Sequence, residues 1–210
     1  MKSYSQNNEQ KHILEFFNGK KGTLLSIGEN DGQTYSNAYA LIQLGWCASL
    51  VEPSKKVFEK LQELHKENEL VACLNFAIGN EDSVVEFWES DSHFVDKSDF
   101  SLLSSLKKEE TEKWKAVNFK AKKVQVFTYE SLGLNKYNFD FITIDAEGMD
   151  IDILKQIDLS NTQLLCIEWN SKEEIKEELN KLEQDYEKKL KILKEENFIE
   201  KFDDQMLDKS

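Results

Sequence analysis

Short apolar runs alternate with stretches of helical spacing along the first half of the chain, and this alternation limits the available folds more than any other feature. Residues 23–27 form a nearly all-apolar run, and residues 34–44 then carry helical spacing that stops at Gly45. Residues 48–51 are apolar again and close on Glu52-Pro53. Residues 54–66 place Val57, Phe58, Leu61 and Leu64 on one face, and residues 70–76 supply a third apolar run. Unbroken apolar runs of strand length suit strands covered on both faces, and short helical crossovers join such strands in parallel and with a right-handed turn. The expected architecture is α/β, with a mostly parallel, doubly wound sheet.

The rest of the chain extends the pattern and interrupts it once. A first helix is expected over residues 5–18. A strand is expected at 139–144 (FDFITI), a helix at 149–157, and a fifth strand at 163–167 leading to Glu168-Trp169. Residues 81–128 lose the alternation. They are expected to form an insertion with an extra strand pair (84–88 and 124–127) and a mobile segment over the cleft. Within it, the apolar SLLSSL segment at 101–106 could anchor a lid or lie on the surface.

Residues 171–196 predict one long, charge-laced C-terminal helix with a stripe of Ile175, Leu179, Leu182, Tyr186, Leu190 and Leu193. Its spacing breaks a continuous heptad at Tyr186 and Leu190, so it is expected to pack on the sheet; a homodimer contact is the alternative. Residues 198–202 could add one more strand. A length of 210 residues fits a single domain over 1–210.

Composition removes several function classes. The net charge is −13 and all 27 basic residues are lysine. Without the guanidinium fork, and with an acidic balance, nucleic-acid binding is not expected. No apolar run reaches the roughly 20 residues needed to span a bilayer. The N-terminus shows no secretory signal, which predicts a cytoplasmic protein with no membrane partner. Cys47, Cys73 and Cys166 sit singly in apolar runs, without metal-ligand spacing, and are expected to be buried free thiols with no metal site.

In an open parallel sheet, ligands bind at the carboxyl ends of the strands. Polar or glycine residues follow all five expected strands: Gly28 to Gly32, Glu52, Asn75 to Gly79, Asp145 to Gly148, and Glu168. Gly28 and Gly32 allow a sharp turn and close backbone approach to a ligand. Glu52, 24 residues after Gly28, can accept hydrogen bonds from ribose hydroxyls. The turn is G-x-x-x-G, not the dinucleotide fingerprint, and a pyrophosphate would meet Glu29 and Asp31 where it needs donors. S-adenosyl-L-methionine carries a sulfonium cation and no phosphate, so an acidic turn suits it.

LLSIGENDGQTYS resembles the first motif of the FkbM family of S-adenosylmethionine-dependent methyltransferases, commonly hydrophobic-Asp-hydrophobic-Gly-Ala-Asn-x-Gly. VEPSKKVFEKL, NFAIG, FDFITIDAEGMDIDILK and CIEW resemble the family's later blocks in the same order, over about residues 22–170. The chain departs from the family pattern at Ser26 (commonly Asp), Glu29 (commonly Ala) and Thr143 (commonly Lys). The resemblance implies a Rossmann-like class I methyltransferase fold that O-methylates a hydroxyl on a sugar or other small molecule. It implies that Gly28, Glu29, Asn30 and Gly32 form the methionine-side turn. Glu52 would then hold the ribose, Ala77 and Ile78 would flank adenine, and Asp145 would sit beside the transferring methyl.

An alcohol nucleophile also calls for a general base, and the candidates are Asp145, Glu147 and Glu168. Two other readings stay open: a non-catalytic relative that binds the cofactor or a partner, and an NAD-dependent oxidoreductase, which the missing fingerprint disfavours.

Overall fold

The computed structural model of the chain describes residues 2–93, 101–169, 173–185 and 191–196. Helix α1 (Glu9–Phe17) leads into β1 (Thr23–Ile27), α2 (Tyr39–Gln43), β2 (Cys47–Val51), α3 (Lys55–His65) and β3 (Val71–Leu74). A short β4 (Ala77–Ile78) then precedes β5 (Ser83–His93), a small helix α4 (Lys108–Thr111) and β6 (Val117–Phe127). The alternation resumes with β7 (Phe141–Ile144), α5 (Asp150–Leu154), β8 (Leu164–Trp169), α6 (Glu173–Asp185) and β9 (Lys191–Glu196).

The main sheet runs in the order β3-β2-β1-β7-β8-β9, with every neighbouring pair parallel. The chain builds outward from β1 to β3, returns to lay β7 beside β1, and builds outward again. The strand order therefore reverses between β1 and β7, and the crevice above that switch point is where an open α/β sheet takes ligands. The alternation led to the doubly wound α/β sheet that forms, and the arrangement is the Rossmann-like one that the family resemblance implied.

Strand periodicity divides the core in two. Leu25, Ile27, Ile142, Ile144, Leu165 and Ile167 pack with Ile153 and Leu154 of α5 and Leu179 of α6. Leu24, Leu50, Phe141, Leu164 and Cys166 pack with Ile13 and Phe17 of α1, Leu41 and Ile42 of α2, and Leu61 of α3. At the upper end of this second face two polar residues replace apolar ones: Ser26 and Thr143, register partners across β1 and β7 and both buried. Of the three cysteines only Cys166 is buried; Cys47 is exposed and Cys73 is half-buried.

The interruption is a second sheet, ordered β4-β6-β5. The antiparallel β5–β6 pair extends the expected strands well beyond residues 84–88 and 124–127, and His93 lies in β5 opposite Val117. β4 joins β6 in parallel through Ala77↔Val126 and Ile78↔Phe127. The hairpin is thus mounted directly on residues that follow β3.

The single long helix expected over 171–196 is not what forms. Helix α6 ends at Asp185, and residues 191–196 form β9, paired with β8 from Leu164↔Lys191 to Trp169↔Glu196. A helix through this region would leave the outer edge of β8 with unpaired backbone groups, and the strand satisfies them. Ile192 packs against the core from β9, as Leu182 does from α6. The stripe residues Tyr186 and Leu190 and the strand expected at 198–202 lie outside the described residues. Among those residues, no helix is long and apolar enough to cross a membrane.

Candidate functional site

The turn after β1 holds its shape through buried carboxylates. The amides of Gly28 and Glu29 both donate to the Val51 carbonyl, at 3.0 and 3.1 Å, which locks the turn to the end of β2. Glu52 accepts the Asn30 amide on one oxygen (3.0 Å) and the Ser54 amide on the other (2.7 Å). One side chain thereby ties the glycine turn to the start of α3. Asn75 donates through Nδ2 to the Glu52 carbonyl at 2.8 Å and fixes the same junction from β3.

Glu29 points inward. Ser26 Oγ and Ser36 Oγ each donate to it at 2.5 Å, and Ser36 Oγ in turn accepts the amides of Ala38 and Tyr39 at the start of α2. Asp31 accepts the amides of Gln33 and Thr34 and caps its own loop. The acids expected to face a ligand are therefore spent differently: Asp31 within its loop, and Glu29 at the back of the site.

The two glycines of the turn differ in purpose. Gly28 has φ of +82°, and a Cβ there would lie 1.8 Å from the Asp145 carbonyl oxygen, so only glycine lets β1 and β7 meet at this point. Gly32 also has positive φ, but the space its Cβ would need belongs to Leu61, Leu64 and His65 of α3. Its small size serves helix packing on the far side of the turn.

The turn after β7 is held by Asp150, which lies in the block 139–155 that carries the resemblance but was not among the candidate site residues. Its carboxylate accepts the Ala146 amide at 2.8 Å and the Gly148 amide at 3.1 Å. Between them, Glu147 adopts φ of +45°, an uncommon conformation for a residue with a side chain.

Segment 101–106 forms the roof. Ser105 exchanges two backbone hydrogen bonds with Trp88 of β5, and its hydroxyl donates to the Glu147 carbonyl at 2.6 Å. The Ser90 and Ser104 hydroxyls lie 3.0 Å apart, and Lys107 Nζ donates to the Gly148 carbonyl at 2.7 Å and to Asp152 at 3.0 Å.

Between this roof and the strand ends lies a cleft, with about 620 Å³ of empty space when its open mouth is included. Gly28, Asn30, Glu52, Ala77, Ile78, Asp145 and Glu147 all line it, so most of the residues singled out from sequence converge on one cavity. Leu102, Ser104 and Leu106 of the roof close it; they belong to the apolar 101–106 segment, for which a lid was one of the two expected roles. A second, polar compartment of about 330 Å³ adjoins it, sharing Gly28, Asn30, Asp145 and Leu102, and is lined further by Ser26, Glu29, Tyr35, Asn37 and Thr143. Gly32 borders neither. Glu168 is the penultimate residue of β8, in register with Glu195 of β9.

Burial raises the Glu29 carboxyl to about 7 against the pull of its two serine donors, with a small addition from Asp31. Burial likewise raises Glu52 to about 7, opposed by the Ser54 and Asn30 amides. Asp145 is pushed upward by the protein packed around it and then by Asp150 and Glu29. It also opens toward solvent at the cleft mouth, and water there moderates the shift. Glu147 is raised by burial and then by its acidic neighbours Asp145, Asp150 and Glu110. A crest of carboxyls raised in this way accepts a proton more readily than ordinary carboxylates do.

No curated protein matches the chain, and no solved structure does. The family model of the methyltransferase FkbM domain matches residues 26–199. That span runs from the polar break in β1 to just past β9 and takes in both walls of the cleft. By that match and by the glycine turn, strand-end acids and switch-point cleft it encloses, the chain belongs to the FkbM methyltransferase family.

Proposed function

We propose that the chain is an S-adenosyl-L-methionine-dependent O-methyltransferase acting on a hydroxyl of a sugar or other small molecule. The observation that carries this reading is the single cleft that joins Glu52 and the Ala77–Ile78 wall to Gly28 and Asp145. Its two ends suit the two parts of an adenosyl ligand. Glu52 keeps lone pairs for ribose hydroxyls beyond the two amides it accepts. The buried Ala77 and Ile78 offer an apolar face to a purine. Asn30 Oδ1 is buried and accepts no hydrogen bond among the described residues, so it can take a donor from a ligand.

When bound, S-adenosylmethionine supplies an electrophilic methyl group on a sulfonium. The chain's own contribution is to exclude water beneath Leu102 and Leu106, align the acceptor oxygen and take its proton. Asp145 and Glu147 are the bases in reach of the cleft, and Glu168 stands at the neighbouring strand end. Proximity and desolvation of this kind supply up to roughly 7–11 kcal/mol in favourable cases. The raised carboxyls of the crest suit proton acceptance from a hydroxyl better than ordinary ones would.

Calorimetric titration with S-adenosylmethionine, S-adenosylhomocysteine and NAD tests the reading, alongside Glu52→Ala and a melting curve for that variant. Micromolar binding of the adenosyl ligands, weakened at least about tenfold in a folded variant, is the expected result. Binding of NAD alone would replace this reading with the oxidoreductase one. With binding established, methyl transfer from labelled S-adenosylmethionine to a panel of hydroxylated acceptors tests catalysis itself.

A further inference from the structure

The polar compartment beside Gly28 has a closed floor and an open lip. Ser26, Glu29, Asn30, Ser36, Asn37 and Thr143 line it and are buried, whereas Thr34, Tyr35 and Asp145 line it and are exposed. On the adenosyl reading, on which this inference rests, the floor receives the cofactor's amino-acid end and the methyl acceptor comes in over the lip. We infer that Tyr35 is the platform on which the acceptor lies, and that the acceptor is a saturated sugar ring. One C–H face of that ring rests on the tyrosine, and a hydroxyl reaches Asp145.

The backbone of Tyr35 is the first support. Its φ is +56°, in the left-handed region, where a Cβ crowds the backbone and where glycine and asparagine are at home. Among the described residues the other non-glycine positions with positive φ are Asn18, Asn30 and Glu147. Two of the four are asparagines. The two that have no such tolerance, Tyr35 and Glu147, border the compartment and the cleft respectively. Strain of this kind persists only where the surroundings over-determine it, and it gathers at sites that bind or react.

The surroundings of Tyr35 do fix it. Ser5 forms a parallel bridge with it, and the segment that carries Ser5 is anchored in turn. There the Tyr4 amide donates to Gln10 Oε1 at 2.8 Å, and the Tyr4 ring meets Tyr39 edge-on with centroids 4.6 Å apart. On either side of Tyr35, Thr34 donates its amide and its hydroxyl to Asp31 at 2.7 and 2.8 Å, and Ser36 Oγ donates to Glu29. All of this holds a ring that stays 44% exposed, whereas Tyr39, four residues on, is buried to 9%. A ring placed for packing would resemble Tyr39.

The chemistry of the lip selects the ligand. A pyranose has flat faces of C–H bonds and a rim of hydroxyls. Tyrosine offers a rigid apolar face that loses little freedom on contact, with a polar tip at its edge. Apart from Tyr35, the large apolar side chains of the lining are Ile27 and Leu102; the remainder is glycine, hydroxyl, amide and carboxyl. A planar aromatic acceptor would set its second face against those polar groups, and a sugar ring has hydroxyls to bond them.

Saturation-transfer NMR on the full chain loaded with S-adenosylhomocysteine tests the inference. The probes are the methyl α-pyranosides of glucose, galactose and mannose, with sorbitol and catechol as controls. At least one pyranoside is expected to bind, with the signal strongest at its ring C–H protons, and sorbitol is expected to give none. Tyr35→Ala should weaken that binding at least about tenfold and Tyr35→Phe less than about twofold, with S-adenosylhomocysteine affinity by calorimetry unchanged in both. Tyr35→Asn removes the ring and suits the backbone, so it should melt no lower than the native chain and still lose the pyranoside. Binding of catechol and no pyranoside overturns the sugar assignment, as does binding of none of the probes. Undiminished pyranoside binding in Tyr35→Ala overturns the role of Tyr35, and so does a parallel loss of S-adenosylhomocysteine. A Tyr35→Asn variant that melts several degrees lower would show a ring held for packing and overturns it too. If the native chain binds no S-adenosylhomocysteine, the adenosyl reading itself falls, and this inference with it.

Discussion

The floor and the roof of the cleft are built in opposite ways. The floor is made of backbone: a glycine with no room for a Cβ, amides that donate to Val51 and Ile27, and buried carboxylates that close the remaining donors. The roof has one backbone pair, between Ser105 and Trp88, and is otherwise tied by side chains. Serine hydroxyls at 90, 104 and 105 and the ammonium of Lys107 tie segment 101–107 to β5 on one side and to the Glu147–Gly148 turn on the other. A backbone-built wall tolerates no substitution at its contact points, and a wall tied by side chains can be altered one tie at a time. The contrast separates what the site requires for its shape from what can vary with the acceptor.

Gly28→Ala should break the contrast most severely, because its methyl would overlap the Asp145 carbonyl and the residue would keep a left-handed φ. Roughly 2–4 kcal/mol of stability should be lost, together with adenosyl binding, as read from urea denaturation and calorimetry. Survival of binding would show that the floor yields more than its geometry implies.

A smaller effect concerns protons. The Glu29 carboxyl titrates near 7 in the folded chain against an ordinary 4.5, so the native state holds a proton that the unfolded chain has released between those values. Stability should therefore fall as pH rises from about 4.5 through about 7, and Glu52 should add to the same trend. Glu29→Gln should flatten the difference between urea midpoints at pH 5 and pH 8. An undiminished slope in that variant would assign the effect to general charge repulsion in this acidic chain.

The mildest test is on the roof. Ser105→Ala removes one hydroxyl bond to the Glu147 carbonyl and should cost about 1 kcal/mol. Hydrogen exchange should quicken at amides 146–149 and remain unchanged at 28–30. Equal acceleration at both would mean that floor and roof open together.

Much of the floor was legible from sequence; of the roof, only the apolar 101–106 segment was, and not the ties that hold it. The apolar runs, the residues at their ends and the role of Gly28 follow from rules that act within a few positions, and they led to the right strands and the right cleft. The direction in which Glu29 turns depends on Ser36, seven residues on, and the packing role of Gly32 depends on Leu61 and Leu64 across the turn. Such contacts leave no local signature. Asp150 resembled an ordinary acidic residue at a helix start, and its two amide bonds appear only once the β7 turn is folded. The C-terminal stretch misled for a related reason: helical spacing continues past Asp185, but the open edge of β8 decides the outcome for residues 191–196.

Glu52 joins the turn after β1 to the start of α3 with one carboxylate. Since those bonds exist before any ligand arrives, the dihedral freedom of the turn is lost at folding and not at binding. Affinity and fold stability are consequently not separate traits in this molecule. A substitution that loosens the junction will be felt twice, once as a lower melting temperature and again as a slower, weaker capture of ligand. Ranking variants by melting temperature alone should therefore predict much of their order in binding.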